Sequence, residues 1–270
     1  EVFDTESSDR AFEEEVMLSG FGQAPVKAEG AAVTFDTANE SFTARYTHET
    51  IALAFAITEE AVEDNLYDRL STRYTRALAC SMSNTKEVKG ANILNNAFNS
   101  SFTFGDGKEL CATDHPTLGG GNFRNELTVA ADLNETSLEQ SMIDIAAFID
   151  ERGLLVAVQG RKLIIPPALQ FVAERLTATQ LRPGTADNDI NAMRNMGMLP
   201  EGYVINHYLT DTDAFFIKTD SPNGFKHFER SPVRTSMEGD FDTGNVRYKA
   251  RERYSFGVSD PRCVFGSPGA

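Results

Sequence analysis

Cysteine is scarce: Cys80, Cys111 and Cys263 are the only three in 270 residues. They are odd in number and contain no CxxC pair, so neither a thiolate zinc site nor a redox motif is supported. Three free thiols made in a reducing compartment is the plain reading. Long apolar runs are also missing. The longest, residues 51–57 and 154–158, are strand-sized, far short of the ~20 residues a membrane span needs. Positive charge is in short supply, with 25 Lys and Arg against 40 Asp and Glu and a net charge of −15. Such a chain repels phosphate backbones, which disfavours sequence-specific nucleic-acid binding. It suits a surface that sits near nucleic acid without sticking to it, and equally simple solubility. The GxSxG, HExxH and GxxxxGK[ST] signatures are absent, as are signal-peptide and lipidation motifs. The chain starts at Glu1 rather than Met, which reads as a processed or trimmed product.

What remains is an ordinary folding composition, 41% hydrophobic and 24% charged, long enough for one large domain or two modest ones. Residues 1–30 mix acid, Ser and Gly and read as an extended arm, with a short helix over 11–18. Residues 31–57 read as a long Thr-rich hairpin. Val33–Phe35 starts it, Asp36–Asn39 turns, Phe42, Ala44 and Tyr46 alternate with polar neighbours, and 51–57 returns. A hairpin alone is marginal in water, so this one must lie on something, such as another subunit. Thr58 then caps a helix whose first turn is acidic. Val62, Leu66, Leu70, Tyr74, Leu78 and Met82 form one stripe at four-residue spacing to about residue 83. Asn84 and Glu87 suggest a capping box that restarts a second helix through Phe98.

Residues 99–135 are loop-rich. Thr136 with Glu139 suggests a second capping box, opening a helix closed by Gly153. A strand at 154–158, a Gln159-Gly160 turn, a strand at 163–165 and a helix after Pro166-Pro167 follow. A polar loop at 182–189 leads to a short helix ending at Gly197. Strands at 203–209 and 214–218 come next, then a turn at 221–224. The last long element is the clearest. Val246, Tyr248, Ala250, Tyr254, Phe256 and Val258 share one strand face and Arg247, Lys249, Arg251, Arg253 and Ser255 the other, with Glu252 the one charge on the apolar side. Long helix, hairpins and separated strands together make an α+β chain.

Candidate chemistry is thin. His115 adjoins Asp114 and follows Cys111 by four positions, but no second pair completes a metal site, and a structural loop histidine is the stronger reading. His48, His207 and His227 sit in strand-like contexts, where a hydrogen-bonded structural role is the default. Asp187, Asp189 and Asn191 mimic a calcium loop, yet Ala192 and Met198 stand where it needs Gly and Glu. Gly119–Gly121 reads as a flexible loop. The cations from Arg247 to Arg253 could bind an anion or form a solvated strand face; the favoured reading is that they meet acidic helix residues such as Glu59, Glu60, Glu63 and Asp64, within or between subunits.

The order of parts, with specific segments, resembles the tailed-phage major capsid proteins of the Hong Kong 97 fold. The segment His227-Phe228-Glu229-Arg230-Ser231-Pro232-Val233-Arg234, then Asp240-Phe241, then Val246 through Arg253, is similar to that family's late β segment. The ending Phe256-Gly257-Val258-Ser259-Asp260-Pro261-Arg262 with Phe265-Gly266-Ser267 is similar to the Mu-type major head subunits. So are Pro166-Pro167 and the stretches 184–191, 209–216, 89–98 and 106–116. The resemblance covers nearly the whole chain. It implies an N-arm at 1–30, an extended loop at 31–57 and a peripheral domain over 58–136 with a spine helix. It also implies an axial domain at 137–227, return strands at 228–258 and a C-terminal segment at 259–270.

The function implied is non-enzymatic: self-assembly, after synthesis in the bacterial host cytoplasm, into hexamers and pentamers of an icosahedral head around double-stranded DNA. No cofactor, metal or membrane is implied. Partners would be further copies of the chain, with decoration, scaffolding and portal proteins. Candidate inter-subunit contacts are Phe35, Asp36, Asn39, Phe42, Arg45, Tyr46, Glu59, Glu60, Glu63, Arg247, Lys249, Arg251 and Arg253. Some relatives cross-link neighbours through a Lys in the extended loop. The segment 33–57 has none and Lys27 precedes it, so a non-covalent shell is expected. The rival readings are another phage structural protein, either a tube subunit, which the long helix disfavours, or a decoration subunit, and a hydrolase using His115 with Asp114.

Overall fold

The computed structural model describes residues 2–64, 68–182 and 189–270. The first half holds strands β1 (Asp4–Ser7), β2 (Phe12–Leu18), β3 (Glu40–Thr47) and β4 (Glu49–Ile57), helices α1 (Glu59–Glu63) and α2 (Asp68–Asn95), and short strands β5 (His115–Pro116) and β6 (Asn122–Phe123). The second holds α3 (Glu135–Ala146), β7 (Gly160–Ile165), α4 (Gln170–Ala178), α5 (Ala192–Asn195), β8 (Tyr203–Ile205), β9 (Phe215–Thr219), β10 (Phe225–Gly239), β11 (Val246–Val258) and β12 (Val264–Ser267). This is the α+β architecture expected.

Two four-stranded sheets organise it. The first has the order β12-β9-β7-β8 and is apolar on both faces. Successive residues of a strand point to opposite sides. Leu163 and Ile165, Phe215 and Ile217, and Phe265 therefore enter one core with Leu138, Met142, Ile145 and Phe148. Ile164, Phe216 and Val264 enter a second core with Ile93, Leu94, Leu110 and Phe225. A strand buried on both sides reads as a continuous apolar run, as Leu163-Ile164-Ile165 does.

The second sheet has the order β1-β10-β11-β4; it is buried on both faces at Phe225–Phe228, between the second core and Tyr46 of β3, and on one face only toward the β10–β11 turn. Leu78 and Met82 of α2 pack on Ala250 of β11, with Ile51 and Phe55 of β4 beside them. The alternation expected along β11 is present: Ala250, Glu252 and Tyr254 are buried and Arg247, Lys249 and Arg251 exposed. Glu252, on the apolar face, is neutralised by Lys86 of α2 at 3.0 Å.

Several expectations give way to long-range pairing. Residues 11–18 are not a helix: β2 is a strand paired antiparallel with β3, because a distant partner outweighs weak helix propensity in an acidic segment. The expected hairpin over 33–57 does not form. β3 pairs with β2, while β4 pairs with β11, and the chain changes sheet at buried His48. The arm residues of β1 add in parallel to β10, more than 200 positions away. The helix expected to stop near residue 83 runs unbroken to Asn95. Ser83 and Asn84 are exposed and tolerated mid-helix, and Thr85 donates its hydroxyl to the Ser81 carbonyl. The side chains of Val62, Leu66 and Leu70 lie outside the described residues.

The cap of α3 is Asn134 with Ser137, two positions before the expected Thr136–Glu139 box, and the helix ends at Ala146 rather than near Gly153. Gly153 instead takes φ +81° in a turn that Ile149 and Leu155 close as an isolated bridge, so 154–158 is not a strand and Gly160 opens β7. β8 covers only Tyr203–Ile205, leaving His207 in an exposed turn. β8 and β9 are not neighbours, since β7 lies between them. Most of the polar loop at 182–189 lies outside the described residues. Asn191 serves as a helix cap, its side chain accepting from the Arg194 amide.

Candidate functional site

The β2–β3 ribbon carries a long loop, residues 19–39, without helix or strand. Its base is closed by backbone bonds: Ser19 donates to the Asn39 carbonyl and Asn39 to the Ser19 hydroxyl. Asp36 ties it to the body. The Gly22 and Thr37 amides donate to its carboxylate, and the Arg152 guanidinium sits 2.9 Å away. Those two amides, then the cation, hold the carboxyl below the usual range. Beyond this anchor the loop is apolar and bare. Phe35 is 94% exposed, Val26 fully exposed, and Phe21 and Val33 more than half exposed. A second projection, the β10–β11 turn, presents Phe241 fully exposed between Asp240 and Asp242.

The other loop candidates separate. Phe42 packs flat on Gly105, where an added Cβ would meet its ring at 2.6 Å. Arg45 stays within the ribbon, 3.7 Å from Glu14 and over the Phe12 ring. Tyr46 is only 3% exposed, in an edge-to-face contact with Phe228 and hydrogen-bonded to Ser259. Gly257 makes room for its ring, since a Cβ there would stand 2.5 Å from it. Tyr46 is thus interior to its own subunit and offers a neighbour no surface. Lys27 lies in the 19–39 loop itself, so the ground for expecting a shell without covalent links, a lysine-free hairpin at 33–57, is removed.

The face of the second sheet turned away from α2 carries a column of cations, exposed at Arg247, Lys249 and Arg251 and half-buried at Arg253. Arg247, Lys249, Arg251 and Arg253 stand opposite Ala56, Ala54, Ala52 and Thr50 of β4. On the other side Arg251 faces Arg234 directly, an exposed like-charge pair that the residue pattern alone does not disclose. Cations placed opposite one another repel, and small residues beside them leave the column standing proud. Arg247 pairs with Asp240 of its own turn. Glu59, Glu60 and Glu63 are exposed, and among the described residues neither they nor Asp64 form a salt bridge with the column.

His115 is not a catalytic candidate. It is 0% exposed and stacked on Phe123. Its Nδ1 meets Asp106 at 2.5 Å, while Asp114 turns to Lys108. Its Nε2 meets the Asn125 side-chain oxygen at 3.0 Å. That oxygen also accepts from the Ala112 amide, and the Asn125 nitrogen donates to the Leu110 and Pro261 carbonyls. The amide orientation is therefore set, and both ring nitrogens have a hydrogen-bond partner. This is a structural knot with no path for substrate. A second knot joins Glu151 and Arg262 at 2.9 Å, both buried, with Arg262 also on Asp260 and over the Phe123 ring. Glu151 accepts from Ser41, which links the ribbon to the core. Among the described residues no cluster of His, Cys, Asp and Glu could hold a metal ion, and no helix is long and apolar enough to cross a membrane.

Comparison with known proteins places this arrangement. The capsid of Myoviridae phage XM1 covers 100% of the chain and 89% of its own at TM-score 0.60 and 10% identity. The capsid of the cyanophage P-SCSP1u does so at 0.62, with 12% identity and 86% of its length. The capsid of a native GTA particle covers the whole chain at 0.64, with 11% identity and 88% of its length. At such identities the likeness is one of fold. No curated protein matches the chain. The family model described as phage capsid protein matches residues 41–266. The chain therefore belongs to the phage capsid protein family.

Proposed function

We propose that this phage capsid subunit closes into hexamers and pentamers of an icosahedral head around double-stranded DNA. The observation that carries the reading is the placement of large apolar side chains on two projections, Phe35 and Val26 on one and Phe241 on the other. A subunit that ended as a monomer would expose them to water at a cost of roughly 1.5–3 kcal/mol for each large side chain; a neighbour in a closed shell covers them. The extended loop is then the β2–β3 ribbon, the peripheral domain is α2 with the second sheet, and the axial domain is centred on the first. Its place is the virion, with scaffolding, decoration and portal proteins as further partners.

The cation column is the second part of the proposal. It meets the exposed acids Glu59, Glu60 and Glu63 of a neighbouring copy, since among the described residues no salt bridge joins them to the column within one copy. Negative-stain microscopy of the expressed chain tests the reading. Shells or rings are expected, and a persistent monomer would overturn it. Lys249→Glu with Arg251→Glu is expected to block assembly and Glu60→Lys with Glu63→Lys to restore it; no restoration would remove the charge pairing while leaving the shell. Denaturing gels of intact particles report whether Lys27 takes part in a covalent link.

A further inference from the structure

Helix α2 departs from the charge balance of the rest of the chain. Residues 69–86 contain no Asp or Glu in a protein that has 40 of them. The whole helix carries five cations against two acids within a chain of net charge −15. The cations divide by position. Lys86 and Lys89, toward the packed side, are neutralised by Glu252 and Glu49. Arg73 and Arg76 are exposed and form no salt bridge among the described residues. Helical spacing puts Arg73, Arg76, Ser83 and Asn84 on the side opposite Leu78 and Met82, and Ser83 and Asn84 are exposed as well. The second sheet carries its own cation column on the face turned away from α2. The layer is thus basic on both surfaces, and a shell one layer thick turns one of them inward.

We propose that the exposed α2 face bearing Arg73, Arg76, Ser83 and Asn84 contacts the phosphate backbone of the enclosed nucleic acid. The inference rests on the reading that the shell encloses DNA. Guanidinium groups with hydroxyl and amide donors, and no acid on this face before Glu87 one turn further on, are a set that meets phosphate without reading sequence. The face spans roughly 16 Å of helix at 1.5 Å per residue, the length of a few nucleotides. Two arginines give a weak contact per copy, and repetition over a shell makes it effective through multivalency. The helix side is favoured over the sheet side because Arg247 is already taken by Asp240, while Arg73 and Arg76 form no salt bridge among the described residues. The competing occupant is an acidic surface of a second copy.

The test uses the full chain with Arg73→Gln and Arg76→Gln together, against a control pair of exposed cations elsewhere, Arg161→Gln and Arg175→Gln. Binding of a short random-sequence DNA duplex is followed by anisotropy between about 50 and 200 mM salt. The slope of log affinity against log salt is expected to fall in magnitude by about two for the α2 pair and to stay unchanged for the control. Shells of wild-type size should still form, with less nucleic acid by their absorbance ratio. An unchanged slope with normally filled shells overturns the proposal and leaves the capsid reading intact. Loss of assembly with an unchanged slope assigns the face to a second copy and also overturns it. Wild-type chains that never form shells would instead overturn the reading beneath it.

Discussion

The two sheets of this subunit solve opposite problems. The β12-β9-β7-β8 sheet is buried on both faces and is complete within one chain, with Phe215, Phe216 and Phe265 at or near zero exposure. The β1-β10-β11-β4 sheet joins the second core only at its Phe225–Phe228 end; toward the β10–β11 turn it has one thin apolar contact with α2 and leaves its other face to cations. The same residue type, Phe, is fully buried at 265 in one region and fully exposed at 241 in the other. A region that folds on its own keeps its apolar surface inside. A region that must meet copies of itself keeps some outside, and its single-chain stability is correspondingly low.

Substitutions sharpen this contrast in a graded order. Phe265→Ala is expected to cost about 3–5 kcal/mol by transfer and cavity terms, read by denaturant unfolding, enough to remove folded subunit altogether. Glu151→Gln, which leaves Asp260 as the only buried carboxylate on Arg262 among the described residues, should cost about 3 kcal/mol at most and also loosen the ribbon through Ser41. Proteolysis within the 19–39 loop would report the second effect, and an untouched cleavage rate would separate the knot from the ribbon.

Acid should weaken the second sheet selectively. Burial, with Lys86 nearby, pushes His227 down to about 4, below its unfolded value of ~6.5. The neutral ring belongs to the folded state. Its contribution is complete above the unfolded value and is lost as pH falls from about 6.5 to about 4, by about 2–3 kcal/mol at most. His48, held down by burial and then by Arg253, acts in the same direction. His227→Phe should flatten part of the melting-temperature decline across that window, and an identical decline in the variant would exclude His227 as its source.

Met82→Ala lies in the thin α2 contact and should cost about 2 kcal/mol, the low end for a buried Met, because the site is open enough to collapse. Phe35→Ser is expected to leave the unfolding midpoint within about 0.5 kcal/mol of wild type while reducing particle yield. Normal particle yield would show that the loop's apolar surface is not used.

How much of this was legible depended on where each partner lies. The β11 alternation, the apolar run 163–165 and the helix beyond Pro167 could be read directly, since burial on one side or both imprints a local period. The segments between 89 and 267 carried the family likeness through their residues and their order. The identity of β2, the separation of β3 from β4 and the unbroken course of α2 could not be read. Each is decided by pairing or packing with residues far along the chain, as when β1 joins β10. The candidate surface divided likewise. Arg247 to Arg253 follow from period two alone, whereas Arg234 opposite Arg251, Lys27 within the loop and Tyr46 in the interior are consequences of register. The sequence by itself determined which residues are apolar, which are charged and on which side of a strand they fall. Only the tertiary structure decided which strands meet, because hydrogen-bonded register is a property of two segments and not of either alone.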